Sequence, residues 1–455
     1  MTAPVYIVHS IDAEGPLYES LAAKFERLEE LFGVTGLQPT KENLGKLQRG
    51  EIDLGGQEKK VQDVFTDQRA RHNETWTEVD AMLERVLAPE FRRRLPDPNG
   101  NGWVYSWFCL DIVNYLNNPR RRDIGYHNVF DHYRQVLADD PSSPDALFWH
   151  YHPMSTYRDA HRCATHYLRT DDIFQILCRK IIERDWFPSV FRAGFQAERP
   201  DSHWFLEQWI PFDLTNMSLD DNSELDATID LRNGRSGDWR RAPADWSIYR
   251  PSHDDYQVPG ACRRSIGRAL NVLSRIASID QAEVDKAFAR AAGGRPTLMS
   301  VCSHDHRDFE PEVEHVRGLI ASAADRFPEV KFEYTDALTA FRKVLWPGGV
   351  PGEALDLELT FHPAADGDVP FIEVATTTGE VFGPQPFLAI ETRSRNFIHD
   401  NLDFSPCRRR WFYAFHGDTL PLDDVARIGV AAGDAQGNVC VRKLDFPGDR
   451  GRAAG

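Results

Sequence analysis

Nowhere in these 455 residues does an apolar run approach the roughly 20 residues that a membrane-spanning helix needs, which argues against a membrane span. Positive charge is also short. Lysine and arginine number 53 against 70 aspartates and glutamates, a formal net charge of −17. A surface this acidic repels phosphate backbones and anionic headgroups, so no nucleic-acid partner is expected. Arg120-Arg121-Arg122 and Arg408-Arg409-Arg410 are short basic runs of the kind that solvated faces carry. The seven cysteines are scattered, and no pair has zinc-knuckle or redox spacing. An odd count without a framework points to reduced thiols and a cytoplasmic location. The first residues enter an apolar run directly, without the charged and apolar regions of a secretory leader, and lead to the same expectation. A nucleophile elbow, a phosphate-cradling loop and a dinucleotide fingerprint are all missing. Asn99-Gly100-Asn101-Gly102 reads as a turn.

What the chain does have is a repeated local pattern. Five short apolar runs each end in a residue capable of chemistry. Val5 to Ile11 runs into Asp12 and Glu14, and Trp103 to Leu110 into Asp111. Ala146 to Trp149 runs into His150 and His152, and Phe187 to Phe191 into Arg192. Leu298 to Cys302 runs into His304, Asp305 and His306. Apolar runs of this length, separated by helical stretches, read as buried parallel strands. In a β/α barrel the active site is assembled from the C-terminal ends of several strands. One pocket holding carboxylates, imidazoles and an arginine is the reading that follows.

The organisation is α/β through residue 345, with a helical insertion at about 15–102. Leu21, Phe25, Leu28, Leu31 and Phe32 recur at helical spacing, as do Trp76, Val79, Met82, Leu83 and Val86. Further helices are expected at about 171–185, after Pro200-Asp201-Ser202, and at 263–278, 281–291 and 310–325. Phe212 to Thr215 and Lys331 to Tyr334 read as short strands, and 219–245 as a loop or edge hairpin. Trp346-Pro347-Gly348-Gly349 marks a boundary. Beyond it, strand-like stretches at sandwich-like spacing predict an accessory β-sandwich-like domain over 350–447, followed by a flexible tail at 448–455.

Asp12-Ala13-Glu14 and His150-Tyr151-His152 each place two polar groups two residues apart, on one side of an extended backbone. Two imidazoles and a carboxylate suit a divalent ion that keeps open positions for water or substrate. Singly, an Asp-x-Glu is often a helix cap and a His-x-His a packing pair. Together at strand ends they favour a metal site. His304-Asp305-His306 could supply a general acid or further ligands, and His161 and His166 are spare candidates. A strand-end Arg192 suits substrate binding or orientation of a catalytic carboxylate. The tryptophans at 103, 107, 149, 186, 204 and 209 belong to core packing more often than to sugar stacking.

In order, these motifs resemble the polysaccharide deacetylase superfamily, the NodB-homology or carbohydrate esterase family four group. The likeness covers roughly residues 1–340. The family's acidic pair resembles Ser10-Ile11-Asp12-Ala13-Glu14, its histidine motif His150-Tyr151-His152-Pro153, and its arginine motif Phe191-Arg192-Ala193-Gly194-Phe195. Its final motif is similar to Met299-Ser300-Val301-Cys302-Ser303-His304. The chain departs from the family at three points: Ala13 and Glu14 within the acidic pair, a histidine spacing of two instead of four, and the helical insertion. Asp245-Trp246 is a candidate for the family's Asp/Trp motif.

The resemblance implies a distorted (β/α) barrel of the deacetylase type over 1–345. It also implies a metal-dependent hydrolase that removes an N- or O-acetyl group from a carbohydrate in bacterial surface-glycan metabolism. In that assignment Asp12 is the catalytic base, Arg192 orients it, and His304 is the catalytic acid. Glu14, His150 and His152 are the ligands of a divalent metal, zinc by expectation. The alternative is a catalytically degenerate barrel that binds a glycan or a partner. A metal-free hydrolase using Asp12 and Glu14 as paired acids ranks last, because carboxylates so close along one strand are poorly placed to flank a bond.

Overall fold

The computed structural model describes residues 2–160, 162, 166–223, 236–274, 277–365 and 369–446. The tail expected at 448–455, His161 and residues 224–235 of the segment 219–245 lie outside the described residues.

Parallel strands form a closed ring. They are β1 (Val5–Ala13), β2 (Tyr105–Asp111), β3 (Ala146–Tyr151), β4 (Val190–Ala193), β5 (Phe212–Asn216), β6 (Ser265–Asn271) and β7 (Thr297–His304). The ring closes between β1 and β7, with Val5 to Asp12 against Thr297 to His304. On its other edge β1 has two partners. His9–Ala13 pairs with Tyr105–Cys109 of β2, while Val5–Ile7 pairs with a short eighth strand, β8 (Phe332–Tyr334). Because β2 joins only the C-terminal half of β1, β8 takes the free backbone groups of the other half. This is the distortion of the barrel. Every residue of β1, β2 and β6 is buried, as expected for strands covered on both faces.

Alternation of side chains decides which residues enter the barrel. Tyr6 and Val8 of β1, Phe108, Phe148, Val190, Phe212, Leu214 and Leu298 share one apolar cluster with Ala337 and Phe341 of the helix Ala337–Leu345. The Phe341 ring stacks on Phe212 at 4.6 Å. Ile7, Ile11, Trp107, Cys109 and Met299 point the other way, into the cluster formed with the surrounding helices. Inward-facing Asp12, His150, Arg192 and His304 follow by parity from Val8, Phe148, Val190 and Leu298. Asp111 falls on the opposite parity from Phe108.

The segment expected as a helix at 263–278 is β6 instead. Ser265-Ile266-Gly267-Arg268-Ala269-Leu270-Asn271 shows no polar–apolar alternation, because both of its faces are covered. Its charge is satisfied internally: Arg268 donates to Glu283 at 2.6 Å and to the Ser218 carbonyl at 2.7 Å. Between β1 and β2 the chain forms helices Leu21–Phe32, Lys41–Arg49, Glu58–Val64, Asp67–Ala70, Trp76–Leu87 and Pro89–Arg92. Phe25, Leu28, Leu47, Val61, Val64 and Phe65 give this layer its own small core.

Beyond residue 350, two four-stranded antiparallel sheets face one another. Leu357, Ile372, Val374 and Trp411 from one meet Leu388, Ile390, Ile428 and Val430 from the other. Strands Phe397–Asp400 and Asp403–Phe404 are additions to those read from the sequence. The second sheet turns its outer side to the barrel helices, where Phe387, Ala389, Phe397 and Ala431 join Ile181, Phe187 and Trp209 in one cluster. Gly429 permits this approach: a β-carbon there would stand 2.5 Å from Ile181.

Candidate metal centre

Asp12 is 3% exposed at the end of β1, opposite His304 in the register with β7. His150 and Arg192 stand opposite one another on β3 and β4. The barrel thus brings together from four strands what the sequence scatters over nearly 300 positions. Arg192 is fully buried. Its Nε donates to Asp12 Oδ1 at 2.7 Å and its Nη2 to Oδ2 at 3.1 Å, while Nη1 bonds the Leu214 carbonyl. The Cys302 thiol also donates to Asp12 Oδ2, at 3.3 Å. Burial alone would raise the Asp12 pKa. The Arg192 charge, helped by His150 and His304, outweighs that and holds the carboxyl below its usual range.

Glu14 lies just past β1 and is 4% exposed. Its loop is braced by Asp305, which accepts from the backbone N–H of Glu14 at 2.8 Å, from that of Gly15 at 2.9 Å, and from Tyr133 Oη at 2.7 Å. Burial pushes the Asp305 pKa up to about 6. Asp305 therefore supports the site from behind while its neighbours His304 and His306 face the cleft. Glu14 Oε2 pairs with Arg122 and lies 3.5 Å from His306 Nδ1. Burial again opposes ionisation, and Arg122 with the three surrounding histidines lowers the Glu14 pKa well below normal.

The other oxygen, Glu14 Oε1, faces His150 Nε2 at 3.7 Å and His152 Nε2 at 3.5 Å. The two Nε2 atoms are 2.9 Å apart. A circle through a triangle with sides of 2.9, 3.5 and 3.7 Å has a radius of about 2.0 Å. One face of a tetrahedron around an ion with ligands at ~2.0–2.1 Å has a circumradius of about 1.9 Å, so the three atoms are spaced to share one ion. His150 Nδ1 lies 3.1 Å from the Arg192 carbonyl, which assigns the proton to Nδ1 and the lone pair to Nε2. A carboxylate oxygen and an imidazole lone pair thus converge in a buried place, the donor chemistry a divalent cation requires. The buried Glu14, His150 and His152 form a group that could hold a metal ion.

His152 is seated by Gly194. A β-carbon there would be 2.3 Å from His152 Cδ2, so the ring packs directly on bare backbone. Phe195 and Gln196 follow in left-handed conformations, φ 54° and 52°. This turn brings the Phe195 ring to 4.7 Å from His152. Burial lowers the pKa of His152 and His306 to about 4 and that of His304 to about 3. All three are therefore neutral at pH 7.

His304 stands at the mouth, its Nε2 3.8 Å from Asp12 Oδ2, with a quarter of its side chain exposed. The cleft has a volume of about 300 Å³. Phe195 lines it, and among the described residues no tryptophan does. Trp103, Trp107, Trp149 and Trp209 are buried in the core, and Trp204 is half exposed elsewhere.

Other candidates lie apart. Asp111 points outward to Lys180 at 3.0 Å, accepts from Trp149 at 2.9 Å, and has its pKa pushed up to about 6 by burial. His166 is exposed and pairs with Asp201 at 3.0 Å. Asp245 pairs with Arg290, and Trp246 donates to the Glu283 carbonyl, so neither belongs to the cleft. The run Arg120-Arg121-Arg122, read from the sequence as a solvated face, instead turns Arg120 and the buried Arg122 into the cleft, where Arg122 pairs with Glu14. Sequence reasoning did not single out His72, which also lines the cleft, or the bracing role of Asp305. All of these depend on how loops from distant segments meet, which strand-end patterns do not record. Compared with known proteins, the chain matches no family model, no curated protein and no solved structure.

Proposed function

We propose that the protein is a metal-dependent hydrolase that removes an N- or O-acetyl group from a carbohydrate, the activity implied by its resemblance to polysaccharide deacetylases. The observation that carries this reading is the pairing of two arrangements in one cleft. The Glu14–His150–His152 triangle is sized for an ion, and beside it stands Asp12, a carboxylate kept ionised by Arg192. A divalent ion held there, zinc on this reading, would polarise an acyl carbonyl and make water more acidic.

Asp12 accepts the proton of the attacking water. Arg192 grips both Asp12 oxygens and fixes their direction. This pair keeps Asp12 ionised, the form that can take a proton. The proton then reaches the leaving nitrogen or oxygen through His304, whose Nε2 faces Asp12 Oδ2. Gly194 and Phe195 close one side of the cleft around His152.

The test is acetate release from acetylated sugars by purified protein. Activity should be lost with chelator and restored by zinc. Release that persists after chelation contradicts the reading. A second reading, a barrel that binds a glycan or partner without turnover, draws on the Arg122–Glu14 pair, which occupies one oxygen of the ligand carboxylate. Full metal loading with no release from any acetylated sugar favours it.

A further inference from the structure

We propose that the cleft is a socket that takes a sugar end-on, so that the unit it acts on is a free sugar or the terminal unit of a glycan and not an interior unit of a polymer. That an acyl group is removed there rests on the hydrolase reading. The shape of the socket does not.

Glu14, His150 and His152 lie deep, each 4% exposed or less. Around them the loops at the strand ends are bonded one to the next. In the loop after β2, the Leu116 N–H donates to the Arg158 carbonyl of the loop after β3 at 2.8 Å, and Asn117 Nδ2 to Asp159 Oδ2 at 2.7 Å. The loop after β3 is held in turn by Asp201, past β4, which accepts from the Leu168 N–H at 2.9 Å. Gln196, also past β4, donates to Asn271 Oδ1 at the end of β6 at 3.0 Å, and its carbonyl accepts from Trp239, between β5 and β6, at 2.8 Å. The Ser274 carbonyl, past β6, accepts from Arg69 of the helical insertion at 2.9 Å. The insertion completes the circuit. The Asn73 N–H donates to the His306 carbonyl, past β7, and the Tyr18 N–H to the Arg120 carbonyl, back in the loop after β2, both at 2.9 Å.

A glycan chain lying across a barrel mouth needs two gaps in the rim, one on each side of the unit that descends to the floor. Among the described residues the circuit is unbroken. The insertion also makes the rim tall. Its two ends bond one another, the Leu17 N–H to the Asn73 carbonyl at 2.8 Å, and it carries its own core, so it stands at the mouth as a compact lobe. Val64 and Arg69 of this lobe line the cleft on one side, and Gln196 and Ser274 line it on another. The space inside is about 300 Å³, at the small end of the roughly 300–1,000 Å³ of ligand pockets. That is more than a pendant acetyl group fills, so part of the sugar enters, and it is too little for a run of sugars. A terminal unit reaches the floor from above with the rest of its chain outside. An interior unit would have to part the rim twice.

The test uses the full chain loaded with zinc, and two sets of probes from one to six units long: β-1,4-linked N-acetylglucosamine oligomers and O-acetylated xylo-oligosaccharides. Acetate release is followed as kcat/KM, and fragment masses of oligomers labelled at the reducing end locate the lost acetyl. The acetyl should leave a terminal unit, and kcat/KM should stay level within about 3-fold from two units onward, because units outside the rim add no binding. Acetyl lost from interior units, or kcat/KM that climbs with each added unit, overturns the proposal. No release from any probe removes the hydrolase reading, and calorimetric binding of the same probes then decides on the socket. Affinity that is level from two to six units keeps it, and affinity that rises with length, or no binding of any probe, overturns it.

Discussion

Replacing Gly194 with alanine tests the metal centre without replacing a ligand. The new methyl would stand 2.3 Å from His152 Cδ2, 2.6 Å from Cγ and 2.8 Å from Nε2. Ordinary contact begins near 3.4 Å, so the ring must retreat by about 1 Å. Phe195 at 4.7 Å and His150 at 4.8 Å between ring centres also crowd the ring, so the shift carries Nε2 out of the triangle it forms with His150 and Glu14. Disturbing the support of a ligand lowers metal affinity about 10- to 100-fold. Crowding a packed site costs ~1–3 kcal/mol of stability, so the fold should survive. Competition with a chromophoric chelator measures zinc affinity, and urea unfolding of the metal-free protein measures stability. Wild-type zinc affinity in a folded Gly194→Ala protein would refute the argument that His152 is a ligand seated on Gly194.

Asp12→Asn should retain metal and lower turnover about 100- to 10,000-fold, because the amide cannot accept the water's proton. Glu14→Gln should lose metal first; metal analysis and acetate release on both variants reveal a swap of roles if the pattern is reversed. Arg192→Met strands the buried Asp12 carboxylate and should cost ~3–5 kcal/mol in urea unfolding, and a loss below 1 kcal/mol would show that the pair is dispensable. In the metal-free protein, stability should fall as pH drops. The His152 pKa is lowered from 6.5 unfolded to about 4 folded, so its contribution of roughly 3 kcal/mol is complete above pH 6.5 and lost between there and pH 4. His304 and His306 act in the same direction. Asp111 and Asp305, raised to about 6, oppose them by less. Urea midpoints at pH 7.5 and 5 check the sign, and a higher midpoint at pH 5 would contradict it.

Much of the barrel is legible in the sequence because strands buried on both faces are written as apolar runs. β1, β2, β3, β4 and β7 are of this kind. β6 is not, because an internal Arg268–Glu283 pair lets a buried strand carry charge and imitate a helix. The polar residues that end the runs divide by parity. Asp12, His150, Arg192 and His304 follow inward-facing neighbours and meet, whereas Asp111 is one residue out of phase and leaves the barrel toward Lys180. The arginines of the lining were missed for another reason. Arg27 and Arg69 sit on helices whose meeting at the cleft has no local signature, and Arg120 and Arg122 stand in a basic run that alone looks like a solvated face.

The metal content of the purified protein tests the central claim most directly. Elemental analysis of the wild-type chain should find about one transition-metal ion per molecule, removable by chelator and restored by zinc. Stoichiometry should fall in His150→Ala and in His152→Ala. A wild-type protein that neither carries nor takes up such an ion, or two histidine variants that bind it as fully as the wild type, would contradict a metal centre built on Glu14, His150 and His152.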